Sequence, residues 1–422
     1  MRGELHYDAV VIGAGTAGLT AAVRLAEGGA RVCVVAKGVG STHLAPGTID
    51  VLGYAPERVE DPERALAELV AARPDHPYAL IGADAVGAAL QWFSDRVGDG
   101  PQPGYRYVGS FDRNHLLPTA VGAVRPSALV PETMAEGEVR SEEPVCVVGT
   151  RVLRDFHAAL CAANLAGAGV AARAVEVELE VDRADANALG LARRFDDAEW
   201  RAAFAASLAP LLRADERVAL PAVIGLRDPH GAWADLQRRL GRPVFEIPTL
   251  PPSVPGMRAF EVLRTALRKA GGRLVLGSEV IGAERAGGRI EAVRGHAAGH
   301  DVRYHARWIV LATGGFASGA IELGSDWIAR DTVLGLSLRG APGPDEARFV
   351  SEYLAEQPMA RAGIAVDASL RAEGAENVLV AGAALPGAAP WQEGSGEGIA
   401  LASGYRAAQL VLETSGAETA RA

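Results

Sequence analysis

The sequence predicts an α/β protein in which a Rossmann-like domain is interrupted by an inserted α+β cap domain. Three observations support this prediction. The N-terminal part shows a complete β–α–β pattern, the central part changes to helical and Pro/Gly-rich stretches, and buried-strand patterns return towards the C-terminus. We therefore assign residues 1–53 and 256–422 to the Rossmann-like domain and residues 54–255 to the cap, with a second short excursion at about 320–362.

The first β–α–β unit follows from the pattern of apolar residues. The stretch "YDAVVI" (7–12) is almost continuously apolar, as strands buried inside a parallel sheet are. An Ala/Leu-rich helix follows in "TAGLTAAVRLAEGG" and is predicted to end at its two glycines. The stretch "ARVCVVA" then predicts a second buried strand.

The later elements are predicted in the same way. Within the cap, "EPVCVVGT" and "AARAVEVELEVD" (171–182) predict strands, and "RVLRDFHAALCAANLAGAG" between them predicts a helix. After the cap, the predicted elements are a helix in "GMRAFEVLRTALRKAGG", a strand pair around Gly287 and Gly288, buried strands in "RWIVLATGGF" and "NVLVAGAAL", and a helix in "GSGEGIALASGYRAAQLVLE".

Composition and charge argue against several classes of protein. The net charge of −10 argues against a nucleic-acid partner, because nucleic-acid binding needs a basic footprint. The three cysteines show no metal-ligand spacing, so we expect no metal site and no iron–sulfur cluster in this chain. We recognise no signal peptide and no apolar run of about 18 residues, so we expect a cytoplasmic chain without a membrane span.

The turn after the first strand has the spacing Gly13-x-Gly15-x-x-Gly18. The first glycine permits a tight turn, the second lets a phosphate approach the backbone, and the third lets helix and strand pack closely. The free N–H groups at the start of the following helix favour an anion. The turn, which also contains Ala14, Thr16 and Ala17, therefore predicts a nucleotide-phosphate site.

The second strand lacks the acid that usually completes such a site. In adenine-dinucleotide sites this strand ends in Asp or Glu, whose carboxylate holds the adenosine ribose. Here the strand ends in Ala36 and is followed by Lys37, which either meets a phosphate or faces solvent. A flavin with a terminal phosphate and no adenosine would not need the missing acid. This pattern therefore fits a smaller flavin of that kind, while the glycine framework could also hold FAD.

Five stretches resemble the B subunit of the anaerobic glycerol-3-phosphate dehydrogenase complex. They are "KGVGSTHLAPGTIDVLGY" (37–54), "HPYALIG" (76–82), "RPVFEIPTLPPSVPGMR" (242–258), "NVLVAGAALPG" (377–387) and "EGSGEGIALASGYRAA" (393–408). The resemblance implies an FMN-carrying protein with two partners: the A subunit, which is catalytic, and the C subunit, which carries iron–sulfur centres and docks to the membrane. Such a complex oxidises sn-glycerol 3-phosphate to dihydroxyacetone phosphate and passes electrons toward quinone in anaerobic respiration. The plan is more remotely similar to the fumarate reductase and succinate dehydrogenase flavoproteins.

In related flavoproteins the loop after the second strand passes the flavin. Ser41 and Thr42 are therefore expected to bind the phosphate or the ribityl chain, and Gly47 with Thr48 to lie close to the ring. The remaining expected cofactor contacts come from three further segments: Val280; Ala312, Thr313 and Gly314; and Gly382, Ala383, Gly396, Gly398 and Ile399. With FMN, Val280 would instead be a core residue, since its counterparts contact the adenine.

Two residues are candidates for catalysis. His43 could exchange a proton near neutral pH, and Arg258 could clamp a substrate phosphate or carboxylate. Each has a simpler explanation, a solvated loop histidine and a domain-closing salt bridge respectively. The pair His296 and His300 lies in a Gly-containing turn rather than on a helix, and we do not interpret it as a metal site.

Three functions remain open from the sequence. The first is the flavin-dependent subunit that the resemblance implies, either free in the cytoplasm or held on the inner face of the membrane by a partner. The second is a stand-alone FAD-dependent reductase or dehydrogenase of the fumarate reductase type. The third is a scaffold protein of the complex that binds no flavin, which Ala36 supports and the glycine framework opposes.

Overall fold

The computed structural model describes residues 4–179, 187–297, 299–343, 345–353 and 355–419. Its strands are β1 (Glu4–Ile12), β2 (Val32–Ala36), β3 (Tyr107–Gly109), β4 (His115–Pro118), β5 (Val124–Ser127), β6 (Leu129–Pro131), β7 (Val145–Gly149), β8 (Ala172–Glu176), β9 (Arg217–Pro221), β10 (Val244–Ile247), β11 (Arg273–Leu276), β12 (Glu279–Ala286), β13 (Arg289–Ala297), β14 (His300–Leu311), β15 (Ile321–Leu323), β16 (Ala329–Asp331), β17 (Leu338–Arg339), β18 (Gly363–Ile364) and β19 (Val378–Val380).

The helices are α1 (Thr16–Glu27), α2 (Pro62–Ala72), α3 (Pro77–Ile81), α4 (Ala83–Gly98), α5 (Glu132–Ala135), α6 (Ala158–Gly167), α7 (Ala188–Phe195), α8 (Ala198–Leu208), α9 (Pro229–Leu240), α10 (Val254–Lys269), α11 (Pro390–Glu393) and α12 (Gly396–Thr419). Short 3₁₀ helices cover Gly40–His43, Ala209–Leu211, Phe316–Ser318, Pro358–Arg361 and Gly382–Ala384.

The larger sheet has seven strands in the order β11–β2–β1–β14–β13–β12, with β19 beside the last part of β14. Strands β11, β2, β1, β14 and β19 are parallel, whereas β12 and β13 form an antiparallel extension. Strands β2 and β19 and the C-terminal parts of β1 and β14 are buried apolar runs, as the sequence predicts, whereas the edge strand β11 is exposed to half-buried. Their carboxyl ends share one edge, which is where ligands bind in open α/β sheets.

Helix α1 lies between the sheet and α12. Ten of its twelve residues are buried, because small and apolar residues occupy almost every face. Leu19 and Leu25 are fully buried, which contributes about 1.5–3 kcal/mol each. Close packing against α12 depends on Gly404, where a Cβ would overlap the backbone of Ala17. This packing fixes the start of α1 relative to the start of α12.

A second sheet has its own core, built from residues between Val145 and Val254. Its order is β10–β9–β7–β8 and its pairs are all parallel. Helix α6 connects β7 to β8, and α9 connects β9 to β10. The predicted strand in "EPVCVVGT" and the helix after it are confirmed; the predicted strand 171–182 is observed as β8, and its residues 180–182 lie outside the described part.

Residues beyond the boundary predicted at 54 pack on the core of the larger sheet. Buried side chains between Val59 and Leu129 belong to the same hydrophobic core as β1 and α1, and α4 packs against α10 and α12. The antiparallel pairs β3–β6 and β4–β5 lie in this first part of the predicted cap, and the parallel sheet forms the second part. We therefore propose that the inserted domain, defined by a core of its own, begins near residue 145 rather than 54.

Candidate functional site

The glycines of the turn after β1 have two roles: Gly13 and Gly18 allow close packing, whereas Gly15 borders open space. Gly13 has a φ of +112°, and a Cβ there would overlap the carbonyl of Ala312. A Cβ on Gly18 would overlap the carbonyl of Gly13. Gly15 differs, because a Cβ there would meet nothing within 4 Å and no side chain caps the helix that it precedes. The first N–H groups of α1 are therefore available to an anion.

The loop after β2 closes one side of this phosphate cradle, by which we mean Gly13 to Gly18. A Cβ on Gly40 would lie 2.8 Å from the Cα of Gly15, so only glycine allows this approach. Thr42 is buried and its Oγ1 lies 3.3 Å from the Oγ1 of Thr16, whereas Ser41 is exposed. Of the two predicted hydroxyl residues, Thr42 therefore lies at the cradle.

Gly47 and Thr48 make their contacts with protein rather than with the cradle. A Cβ on Gly47 would overlap Pro255 at the start of α10, and its carbonyl accepts a hydrogen bond from the hydroxyl of Tyr107. Thr48 donates to the buried carboxylate of Asp50 at 2.8 Å. The close approach that Gly47 permits is thus to α10, which was not foreseen.

Two further loops reach the cradle from the ends of β14 and β19. Ala312 follows β14, packs against Gly13 and is buried, and Thr313 after it is half-buried. A Cβ on Gly382 would lie 2.9 Å from the Cβ of Ala17. The two loops also touch each other, because a Cβ on Gly315 would overlap the carbonyl of the exposed Ala383. Gly314 has a φ of +82°, which is the conformation that turns this loop.

The start of α12 brings one residue that the sequence analysis missed. Glu397 accepts a hydrogen bond from the Oγ1 of Thr16 at 2.8 Å, and Gly396 before it is exposed. Gly398 has a different role, because a Cβ there would meet the hydroxyl of Tyr78 and the backbone of residues 50–51. Ile399 is a buried core residue. Gly398 and Ile399 therefore hold the helix in place, while Gly396 and Glu397 lie at the cradle.

At the position of the missing acid, Lys37 takes the solvent-facing one of its two predicted alternatives. The carbonyl of Ala36 accepts a hydrogen bond from the N–H of Ser278 at 3.1 Å. The Nζ of Lys37 lies 3.0 Å from the Oε1 of Glu279, and the lysine side chain is 79% exposed. Lys37 thus pairs with a surface carboxylate and makes no observed contact with the cradle. Val280, the next residue of β12, is buried.

His43 ends the 3₁₀ helix beside the cradle. Its ring packs edge-on against Phe260 at 4.9 Å between centroids, and its Nε2 is buried without a hydrogen-bond partner among the described residues. Burial lowers the pKa of the imidazole below 6.5. The ring is therefore neutral at pH 7 and keeps a nitrogen lone pair or N–H without a partner.

Of the two explanations offered for Arg258, the structure shows the salt bridge and leaves no free guanidinium to clamp a substrate. The side chain is completely buried and its guanidinium bonds Glu246 at 2.7 and 3.0 Å, together with the carbonyls of Ile224 and Gly225. Burial alone would lower the pKa of Arg258, but the charge of Glu246, its hydrogen bonds and the neighbouring Tyr105 together outweigh burial and raise the pKa. Arg258 is therefore a buried link between α10 and the second sheet.

A buried network around Glu393 holds the loop before α12. Its carboxylate lies 3.2 Å from the Nε2 of His76 and 2.9 Å from the Nη1 of Arg73, and it accepts hydrogen bonds from Ser395 Oγ and Ala389 N. Burial would raise the pKa of Glu393, yet the hydrogen bond and charge of His76, with the two further donors, lower it to about 2. The network joins residues about 320 positions apart, which sequence spacing could not reveal.

Comparison with known proteins agrees with this geometry. Residues 8–399 match the FAD binding domain family. The B subunit of anaerobic glycerol-3-phosphate dehydrogenase from Pectobacterium carotovorum is 32% identical over 97% of this chain and 99% of its own length. A probable B subunit of the same enzyme from Halobacterium salinarum is 34% identical over 97% and 98%. The chain belongs to this B-subunit family. Family membership makes it a flavin-linked subunit of a larger complex.

Solved structures of other flavoenzymes are similar at a lower level. A 3-ketosteroid Δ1-dehydrogenase from Sterolibacterium denitrificans is 14% identical with a TM-score of 0.46, covering 97% of this chain and 100% of that one. A flavocytochrome c3 fumarate reductase is 10% identical with a TM-score of 0.46, covering 97% and 78%. At these values the likeness gives no information on the chemistry of this B subunit.

The residues of this B subunit fit a flavin phosphate. The open space above Gly15, the uncapped start of α1 and the glycines that admit Gly40 and Gly382 together form a cradle that side chains would otherwise fill. Within the described part of the chain, no group of His, Cys, Asp or Glu is arranged to hold a metal ion. A search of the same residues finds no helix with the length and apolar character needed to cross a bilayer.

Proposed function

We propose that this chain is the flavin-dependent B subunit of a complex that oxidises sn-glycerol 3-phosphate to dihydroxyacetone phosphate and passes the electrons toward an iron–sulfur and quinone partner. The observation that carries the proposal is the sequence match to proteins of the B-subunit family over 97% of the chain. The convergence of five chain segments at the cradle supports it, because residues 13–18, 40–42, 312–315, 382–383 and 396–397 meet there.

FMN is the proposed cofactor. Ala36 offers no carboxylate to an adenosine ribose, and the nearby Glu279 is already paired with Lys37. A ribose diol held by a carboxylate gains about 1.5–3 kcal/mol per charge-assisted hydrogen bond, and Ala36 cannot supply this. A flavin supplies hydride acceptance when bound. The chain itself would bind the phosphate at the start of α1 and present the N-terminus of α12 to the negative charge of the ring.

The proposal includes two partners, the catalytic A subunit, which oxidises the substrate, and the iron–sulfur C subunit, which docks to the membrane. The chain would then be cytoplasmic and reach the inner face of the membrane through the C subunit. Support comes from the family, whose members are named as one subunit of a dehydrogenase. Within this chain, Arg258 is unavailable to glycerol 3-phosphate, and His43 is the remaining candidate of the sequence analysis.

Cofactor identity tests the proposal most directly. The chain should be purified, its visible spectrum recorded, and the released chromophore separated by chromatography. FMN at about one per chain is expected. FAD would refute the FMN assignment and favour the stand-alone reductase, whereas a colourless protein that takes up no added flavin would leave the scaffold function. Co-expression with the A and C subunits, followed by glycerol-3-phosphate-dependent dye reduction, then tests the reaction.

A further inference from the structure

Glu397 occupies an unusual place for an acid. Its carboxylate accepts a hydrogen bond at 2.8 Å from the hydroxyl of Thr16, the first residue of α1. The residue also lies in the first turn of α12. Two helix N-termini, each carrying a partial positive charge, therefore face one carboxylate. This is the electrostatic position that the cradle offers to a phosphate.

The groups around Glu397 come from several elements. Asp50 lies next to α12, since its carbonyl accepts a hydrogen bond from Gly398 N, and its carboxylate is paired with Arg125 of β5. Tyr107 of β3 also faces this group, and burial first, then the neighbouring Tyr105, hold the pKa of its hydroxyl well above 10. Thr16 and Thr42 complete the surroundings on the side of the cradle.

The two helix N-termini favour the charged carboxylate, whereas other surroundings favour the neutral acid. Removal of the half-buried Glu397 carboxyl from water and the charge of Asp50 raise its pKa, while the hydrogen bond from Thr16 and the charge of Arg125 oppose the change. A flavin phosphate bound at the start of α1 would add a second negative charge beside Thr16, the residue that Glu397 contacts at 2.8 Å. Two neighbouring anions disfavour each other's charged form, so one of them is expected to take up a proton.

We propose that Glu397 couples binding of the flavin phosphate to protonation: the flavin binds with Glu397 protonated, and binding takes up a proton from solution. This inference rests on the proposed function, because it requires a flavin phosphate in the cradle. Its sign is fixed by linkage. Since the bound phosphate raises the pKa of Glu397, flavin affinity is greatest at low pH and falls as pH rises and the free protein loses this proton.

The test compares three flavins on the full-length, flavin-free chain. FMN carries a phosphate monoester of up to two charges, FAD carries one charge on each phosphate, and riboflavin carries none. Dissociation constants are measured by flavin fluorescence between pH 5 and 8.5 for wild type, Glu397→Gln and the matched control Glu413→Gln. Glu413 lies on the same helix, is exposed, and approaches Arg406 at 3.9 Å.

Glu397→Gln is expected to bind FMN about tenfold more tightly than wild type at pH 8, which corresponds to one unit of pKa shift on binding. The difference should shrink as pH falls, be smaller for FAD and be absent for riboflavin, and Glu413→Gln should behave as wild type. FMN has its own phosphate ionisation near pH 6, but that contribution remains in Glu397→Gln and cancels in the comparison.

Wild-type protein alone provides a second measurement. Calorimetric titration with FMN at pH 7.5, in buffers of different ionisation enthalpy, should show net proton uptake of up to about one per flavin. Unchanged or weaker FMN binding by Glu397→Gln at pH 8, or binding without proton uptake, would overturn the inference and leave the proposed function standing. No flavin binding by any variant at any pH would overturn both.

Discussion

Two alanine substitutions in the glycine turn separate the phosphate-binding role of the cradle from its packing role. In Gly15→Ala the new methyl group meets no atom within 4 Å, and the residue has a φ of −75° that alanine adopts freely. In Gly18→Ala the methyl group would lie closer than 3.0 Å to the carbonyl oxygen of Gly13. The first change therefore affects the space above the helix, and the second affects the contact between helix and strand.

The expected magnitudes differ accordingly. Gly15→Ala should change the free energy of unfolding by less than about 1 kcal/mol, the scale of a Gly-to-Ala change at an N-cap. It should weaken flavin binding by about 10- to 150-fold, because one charge-assisted hydrogen bond of about 1.5–3 kcal/mol is lost. Gly18→Ala should destabilise the fold by about 1–3 kcal/mol, as overpacked core positions do.

The assay pairs a thermal unfolding midpoint of the flavin-free chain with a flavin titration by fluorescence quenching. Both are measured on the same preparations of wild type, Gly15→Ala and Gly18→Ala. If Gly15→Ala binds flavin as tightly as wild type, the phosphate does not approach α1 at this position. If Gly18→Ala unfolds at the wild-type temperature, the close packing of β1 and α1 is not as described.

Three further predictions concern ionisable side chains that are buried or half-buried. Arg258→Met should lower the free energy of unfolding in urea by about 3–5 kcal/mol, because Glu246 is left buried without its cation. The control Arg264→Met removes an exposed side chain and should cost under about 1 kcal/mol. Equal urea midpoints for the two variants would contradict the buried pair. Glu393 has a pKa of about 2 in the fold against 4.5 ordinarily, so it should contribute roughly 3 kcal/mol above pH 4.5 that is lost toward pH 2, and Glu393→Gln should flatten that part of the stability profile. Folding lowers the pKa of His43, so the unfolded chain takes up the proton first and stability should fall as pH drops below 6.5. Between pH 7.5 and 5.5 the thermal midpoint of His43→Phe should fall less than that of wild type. An identical fall would show that folding does not change the titration of this imidazole.

Local signals were enough to predict most elements of the larger sheet, although β11 was not separated from the strand pair that follows it. The β1–turn–α1–β2 unit, the antiparallel pair around Gly287 and Gly288, and the long C-terminal helix all lie where hydrophobic periodicity and glycine punctuation place them. The packing of residues 59–129 on the first core could not be predicted in this way. An amphipathic pattern predicts that a helix buries one face, but it does not identify the element against which that face packs.

The candidate site was predictable where backbone geometry demands a particular residue. Gly13, Gly15 and Gly18 are recognisable because only their spacing permits the turn and the close packing. Glu397 was missed because an acid in the first turn of a helix is ordinary in sequence, and its contact with Thr16 crosses 381 positions. For Arg258 the salt-bridge explanation was offered, but its partner could not be named, since an arginine that ends a conspicuous motif gives no sign in sequence of the buried Glu246 that it meets.

The contact between Thr16 and Glu397 also has a consequence for biosynthesis. The ribosome adds Glu397 381 residues after Thr16. The glycine turn is therefore synthesised well before both the strand end at Ala312 that packs on it and the helix α12 that contacts it. We expect flavin binding to follow the synthesis of α12, and a chain without α12 to lack the contact between Thr16 and Glu397.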